Sequence, residues 1–320
     1  MYGQLCLPMN RSGKIHALLS TARIANLPSV VCNVWVGVAL GTLMSSYAGG
    51  QTVSIPWISA ASTTFAGMLL YVGGNFFNDW MDRAWDAEHR PERALPRGLF
   101  PSHLYAVLAL FLIGAGVSLA WAASWRSAIV AMILVFWIVV YTVFHKRSAW
   151  AVIPMGLCRA LLPMMGYLAI YPYINMIWPA ASGLFFYIVG LSLSARYESM
   201  KEPPMRVAVM ARGLLLATAV SLALSNRIFY LERLPSLMAS IPYLVWTGFC
   251  LRFRRRPVTK FVSSLLAGIP LVDWMALLPI FLTFVNDGHR GTGAFTIGCL
   301  VIPPIAFIAA LLLQRLAPAT

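Results

Sequence analysis

Five of the ten acidic residues of this chain fall within fourteen positions: Asp79, Asp82, Asp86, Glu88 and Glu92. Within that stretch Asn75, Asp79, Asp82 and Asp86 are spaced i, i+4, i+7 and i+11. On a helix those positions share one face. Carboxylates so placed repel one another and call for a compensating cation. Hard divalent ions take carboxylate oxygens, and magnesium characteristically completes its shell with water and substrate phosphates. The stripe therefore reads as a magnesium–diphosphate platform. Arg90, Arg93 and Arg97 follow at once and are suited to neutralising phosphate oxygens. Asn78 points about 100° away from Asp79 on a regular helix. A solvated loop of mixed charge would account for the arginines but not for the stripe, because acids are scarce in the other loops.

Other residues could do chemistry from within apolar surroundings. Arg159 stands alone in Pro154-Met-Gly-Leu-Cys-Arg159-Ala-Leu-Leu-Pro163. An arginine in an apolar run is a functional candidate by default, with snorkelling toward an interface as the alternative. Asp273 interrupts a second apolar run. It reads as a base, as a partner for an intramembrane arginine, or as a loop-end acid. Tyr71, Tyr141 and Tyr167 offer π faces to a cation, or simply pack. The five cysteines are scattered and the five histidines show no metal spacing; the thiols read as small buried hydrophobes.

The elements that must position these residues are apolar. Hydrophobic residues make up 60% of the chain and charged residues 11%, against roughly 45–50% and 25% in soluble domains. The fold class is all-α, a polytopic transmembrane helical bundle, expected as a single domain over residues 1–320. Ten spans are predicted at 24–44, 57–77, 103–123, 126–144, 151–170, 177–195, 207–225, 234–251, 261–285 and 293–314, with nine as the alternative. Pro242, Pro270, Pro279 and the Pro303–Pro304 pair can kink the last spans or make them re-enter. The run from Ile24 to Met44 is too long for the core of a cleaved signal peptide.

The net charge is +14, and its placement matters more than its size. With the N-terminus inside, inside segments hold nineteen Lys and Arg residues and outside segments four. That asymmetry obeys the positive-inside rule. It puts both termini and the Asp-rich loop in the cytoplasm, and an integral, multi-pass protein of a bacterial inner membrane is expected. The basic residues sit in short loops between apolar runs, so nucleic acid is not an expected partner. The Arg252–Lys260 cluster is expected to contact anionic membrane lipid.

Two stretches in order resemble the UbiA superfamily of intramembrane prenyltransferases. Asn78-Asp79-Trp80-Met81-Asp82-Arg83-Ala84-Trp85-Asp86 is similar to that family's Asn-Asp-x-x-Asp-x-x-x-Asp motif. Arg90-Pro91-Glu92-Arg93-Ala94-Leu95-Pro96-Arg97-Gly98 is similar to its Arg-Pro-x-Arg-x-x-Pro-x-Gly stretch. Arg23-Ile-Ala-Asn-Leu-Pro28 looks like the approach to its first helix, and Tyr141-Thr-Val-Phe-His-Lys146-Arg147 looks like its Tyr-x-x-x-x-Lys stretch. The likeness covers roughly residues 18–205.

The resemblance implies transfer of an allylic prenyl group from a prenyl diphosphate to a lipophilic, aromatic acceptor, with Mg2+ as cofactor. It implies magnesium ligands at Asn75, Asp79, Asp82 and Asp86. It implies a diphosphate-binding set of Asn75, Asn78, Arg90, Arg93, Lys146, Arg159 and Lys201, of which Lys146 and Arg159 share the catalytic role with Asp79 and Asp82. The family's second Asp-rich motif has no aspartate here: Ser192-Leu-Ser-Ala-Arg-Tyr-Glu198-Ser-Met-Lys201-Glu202 offers only Glu198 and Glu202 as opposing metal ligands. That departure leaves open a one-metal site, or a lipid-binding protein with lost or altered activity. A transporter or channel is the remaining alternative, though transporters place their charges near the midplane and these acids gather at one end.

Overall fold

A computed structural model of the chain describes residues 11–49, 54–174, 176–196, 204–228, 233–253, 257–286 and 293–316. The described residues form helices and no strand. The helices are α1 (Arg11–Thr21), α2 (Leu27–Gly49), α3 (Trp57–Met81), α4 (Arg83–His89), α5 (Ser102–Ala123), α6 (Trp125–Phe144), α7 (Val152–Leu168), α8 (Trp178–Arg196), α9 (Met205–Ile228), α10 (Arg233–Phe253), α11 (Val258–Ala267), α12 (Ile269–Asn286) and α13 (Gly293–Leu316). Short 3-10 turns lead into α2 and α7.

Nine helical segments among the described residues are long and apolar enough to cross a membrane, and the protein is an integral, multi-pass membrane protein. Helix α3 is long enough at 25 residues. Its run of Ser, Thr, Gly and Asn dilutes its apolar character, and it stands outside the nine. The prolines do not break the later spans. Pro242, Pro279 and the Pro303–Pro304 pair lie inside continuous helices. In lipid, neighbouring helices and local adjustment re-satisfy the backbone groups that proline frees. The one break is at Gly268, between α11 and α12, with Pro270 in the first turn of α12, where its missing N–H costs nothing.

Two elements occupy the centre. The apolar window of α2 is 78% buried and that of the α11–α12 segment 83%, against 17% for α5. The outer helices instead turn large apolar side chains outward, such as Leu110 and Phe111 of α5 and Leu237 and Ile241 of α10. An exposed aromatic set (Tyr47, Trp57, Trp121, Trp125, Tyr173 and Trp178) sits at helix ends on the face away from the acids, as interfacial belts do.

Helices α2 and α7 meet backbone to backbone. A Cβ on Gly37 would overlap the Pro163 carbonyl oxygen, and one on Gly166 the Val34 carbonyl oxygen. Small residues permit this approach, which replaces the hydrophobic effect as the source of helix association in lipid. Ser124 adds a fixed point: its Oγ accepts from the Ser127 N–H at the start of α6 and donates to the Leu168 carbonyl at the end of α7. Together these contacts set the depth at which α7 carries Arg159.

Backbone atoms cannot move aside as a flexible side chain can, so Gly37→Ala is expected to destabilise the bundle by about 1–3 kcal/mol. Gly213→Ala, with open space around its Cβ, is expected to be neutral or slightly stabilising. Thermal unfolding of both variants in detergent measures the difference.

Candidate active site

Helix α3 delivers Asn75, Asn78 and Asp79 to one end of the bundle, and α4 continues with Asp86. The backbone turns at Asp82 (φ −78, ψ −3) while its N–H still bonds to the Asn78 carbonyl. This small change of axis splits the expected single stripe in two. Asp79 and Asp86 share Arg93, whose Nη1 lies 3.3 Å from Asp79 Oδ1 and 2.7 Å from Asp86 Oδ2. Asp82 faces the end of α6 instead. Its Oδ2 lies 3.0 Å from His145 Nε2 and 3.3 Å from Lys146 Nζ, and Asn78 Nδ2 donates to it at 3.3 Å. Asn78 thus stands beside Asp82, one turn away, rather than along the Asp79 face.

The cations have their own supports. Lys146 Nζ lies 3.5 Å from the centroid of the Trp85 ring, a cation–π contact. His145 stacks on Tyr141, and its carbonyl accepts from Arg196. Arg23, for which the sequence suggested no role, stands 4.0 Å from Asp79 Oδ1. It joins α1 to the turn before α2 in the left-handed region, φ 49 and ψ 50, an unfavourable conformation for a residue with a Cβ. Strain of this kind concentrates at functional positions. Burial is the largest influence and works against the Arg23 charge, but Asp79, Tyr71, Tyr141 and Asp82 together outweigh it and hold the guanidinium above its ordinary range.

Two cavities meet at this point. The first, about 570 Å³ with the space open to solvent included, runs into the bundle between α3, α6 and α7. Arg23, Asn75, Asn78, Tyr141 and Thr142 line its mouth; Tyr71, Leu134, Ile138, Met155, Cys158, Arg159 and Leu162 line the rest. The second, about 990 Å³, lies under α1 and is polar, lined in part by His16, Asp79, Arg90, Glu92, Arg93 and Arg97. Arg23 borders both.

Arg159 shares the first cavity but not the acids. Its Nη1 donates to Ser29 Oγ and Asn33 Oδ1, each at 3.1 Å, and its guanidinium lies 5.1 Å from the centre of the Tyr71 ring. Asn33 Nδ2 in turn donates to Asp273 Oδ2 at 2.7 Å. Asp273 is therefore the partner of an intramembrane arginine, through one amide, and not a loop-end acid. Tyr71 is fixed by Asn26, whose Nδ2 donates to its hydroxyl at 3.1 Å. Tyr71 and Tyr141 border the cavity, but Tyr167 does not: it is buried in the core at the far end of α7, edge-on to Tyr171.

Sequence reasoning missed Arg23, His145, Ser29 and Asn33. A signal existed for Asn33, since a buried amide in an apolar span needs partners. For His145 the only signal was its place beside Lys146. Glu198, Lys201 and Glu202 lie outside the described residues.

The donor set suits magnesium. Its carboxylate and amide groups are hard oxygen ligands. Asp86 Oδ1 and Asn78 Oδ1 are buried without a partner among the described residues. No three His, Cys, Asp or Glu side chains among the described residues converge on one point, and Arg93 and Lys146 supply positive charge there.

A model of the UbiA prenyltransferase family matches residues 38–202, just over half of the chain. Protoheme IX farnesyltransferase of Aliivibrio salmonicida is 28% identical over 159 residues, 47% of this chain and 54% of that protein. Digeranylgeranylglyceryl phosphate synthase of Methanospirillum hungatei JF-1 is 38% identical over 94 residues, 27% of this chain and 30% of that protein. The chain thus spans about half or less of the length of these curated relatives. In fold, it superposes on a UbiA homolog from Aeropyrum pernix K1 in its apo form with a TM-score of 0.55, covering 89% of this chain and 98% of the other at 12% identity.

Burial would raise the Asp82 carboxyl, but the hydrogen bond from His145 and the nearby Lys146 charge hold it below its ordinary value. A carboxyl lowered on folding contributes stability that is present above the unfolded value and lost as the pH falls through the native one. Lys146→Met is expected to lower the melting temperature at neutral pH, and the gap to wild type is expected to close as the pH drops below about 4. Scanning fluorimetry across pH tests this; a gap that stays constant would mean that Lys146 stabilises the fold by some route other than Asp82.

Proposed function

Because the chain belongs to the UbiA prenyltransferase family, we propose that it transfers an allylic prenyl group from a prenyl diphosphate to a lipophilic, aromatic acceptor, with Mg2+ as cofactor. One observation carries the reading: the Asp79–Asp82–Asp86 cluster is joined through Arg23, which pairs with Asp79, and Asn78, which donates to Asp82, to a largely apolar cavity that those two residues line.

In this reading Asn75, Asp79, Asp82 and Asp86 hold the metal, with Glu198 and Glu202 as the opposing ligands. Bound magnesium would neutralise charge on the departing diphosphate. Arg23, Arg93 and Lys146 contribute fixed positive charge to the same oxygens, already oriented by their carboxylate partners. Arg90 and Lys201 extend that field. Asn78 holds the Asp82 carboxylate in place. Departure of diphosphate leaves an allylic cation, which the π faces of Tyr71 and Tyr141 stabilise. Leu134, Ile138, Met155 and Leu162 keep water from the cation. Arg159, expected among the diphosphate cations, borders the same cavity and donates to Ser29 and Asn33. The Lys/Arg asymmetry supports an orientation with both termini and the acid loop cytoplasmic.

Protein purified in detergent is expected to release diphosphate from prenyl diphosphates only with magnesium present, and faster with a lipid extract that contains the acceptor. Asp79→Asn, Asp82→Asn and Arg23→Gln are each expected to slow release by about 10²–10³-fold. Binding of prenyl diphosphate without any turnover would indicate a lipid-binding protein. Neither binding nor release at any chain length would move a transporter to the front.

A further inference from the structure

Asp82 immediately precedes α4 and Trp85 follows one turn later, so the two share one helix face. Both meet Lys146 at the end of α6: its Nζ lies 3.3 Å from Asp82 Oδ2 and 3.5 Å from the centre of the Trp85 ring. The His89 ring stacks on the same indole, 4.2 Å between centroids and 2° from parallel, and His89 Nδ1 lies 3.0 Å from the Trp85 carbonyl oxygen. Two groups so close to one ring have to take opposite faces, so the indole is held between the imidazole and the ammonium. Trp85 is 36% exposed and joins no apolar cluster among the described residues; filling the core does not account for it. Asp82 Oδ2, by contrast, is crowded: His145 Nε2, Lys146 Nζ and Asn78 Nδ2 all lie within 3.3 Å of it. A carboxylate that turns to a divalent ion gives up part of its hold on such donors. Hard ions take oxygen ligands, so the indole face is left to the ammonium.

Resting on the prenyl-transfer reading above, we propose that Trp85 is a positioning residue for Lys146: it keeps the ammonium at the acid cluster while the Asp82 carboxylate is given over to the metal and a diphosphate oxygen of the substrate takes its place. His89 braces the other face of the indole. An ammonium has three rotatable donors and no fixed plane. It can keep the ring beneath it while its N–H groups turn from carboxylate to phosphate.

Full-length protein in nanodiscs is titrated calorimetrically with inorganic diphosphate in the presence of magnesium. Trp85→Leu is expected to weaken binding about fivefold, as for a partly desolvated cation–π contact, and Trp85→Phe to lose less, because a phenyl face attracts a cation more weakly than an indole but still attracts it. Lys146→Met keeps an unbranched side chain against the ring and removes the charge. In the Lys146→Met background Trp85→Leu should cost no further affinity, and this double-mutant cycle isolates the pair. A role for Trp85 in packing alone would cost the same in both backgrounds. The same four proteins are compared in melting temperature without ligand, where the two substitutions together should lower it by less than their sum. That second cycle reads the coupling even if Lys146→Met binds diphosphate too weakly to titrate. Additive costs, or Trp85→Phe behaving like Trp85→Leu, overturn the assignment. Magnesium-dependent diphosphate release from a prenyl diphosphate is followed on the same wild-type preparation. Release together with additive costs removes only the role of Trp85. A wild-type protein that neither binds nor releases diphosphate removes the transferase reading, and the role of Trp85 with it.

Discussion

Buried charge in a medium with little water is the constraint on which the rest of the structure turns. Asp82 and Asp86 are 6% and 1% exposed. A carboxylate so placed persists only beside a cation or several donors. The partners come from different parts of the chain: the cations Arg23 from the turn before α2, Arg93 from the loop after α4 and Lys146 from the end of α6, with the His145 ring beside Lys146. Satisfying the acids therefore ties four segments together at one end of the bundle. The same arrangement gathers positive charge where a phosphate group would need it. Stability and binding draw on the same groups, and the left-handed backbone at Arg23 shows that some local strain is tolerated to bring one of them in.

The second constraint is packing without a hydrophobic effect between helices. Lipid is as apolar as a leucine side chain, so close approach has to supply the association. Gly37 and Gly166 let α2 and α7 touch through their backbones. That contact sets the register between Ser29 and Asn33 on one helix and Arg159 on the other. A polar cluster within a span can then be closed by hydrogen bonds, Asp273 reaching Asn33 from 240 residues away. The cavity beside it is lined by Arg23 and Arg159 together with apolar and aromatic side chains.

Much of this was legible in the residues. The apolar runs, their lengths and the Lys/Arg asymmetry fix an all-α membrane bundle, because helix length and bilayer thickness are both local quantities. The acid stripe was visible for the same reason: spacing along one helix needs no tertiary information. Arg159 and Asp273 stood out because charge in an apolar run is expensive wherever the run ends up. What the residues could not decide is who meets whom. The turn at Asp82, which moves its carboxylate from the Asp79 face to His145 and Lys146, follows from packing against α6. Arg93 rather than Arg90 or Arg97 bridges the acids because of how the loop folds. Arg159 belongs with Asp273 and not with the acid cluster because the α2–α7 contact fixes its depth. Those pairings are long-range, and their energies depend on distances of a few ångströms that only the packed helices set.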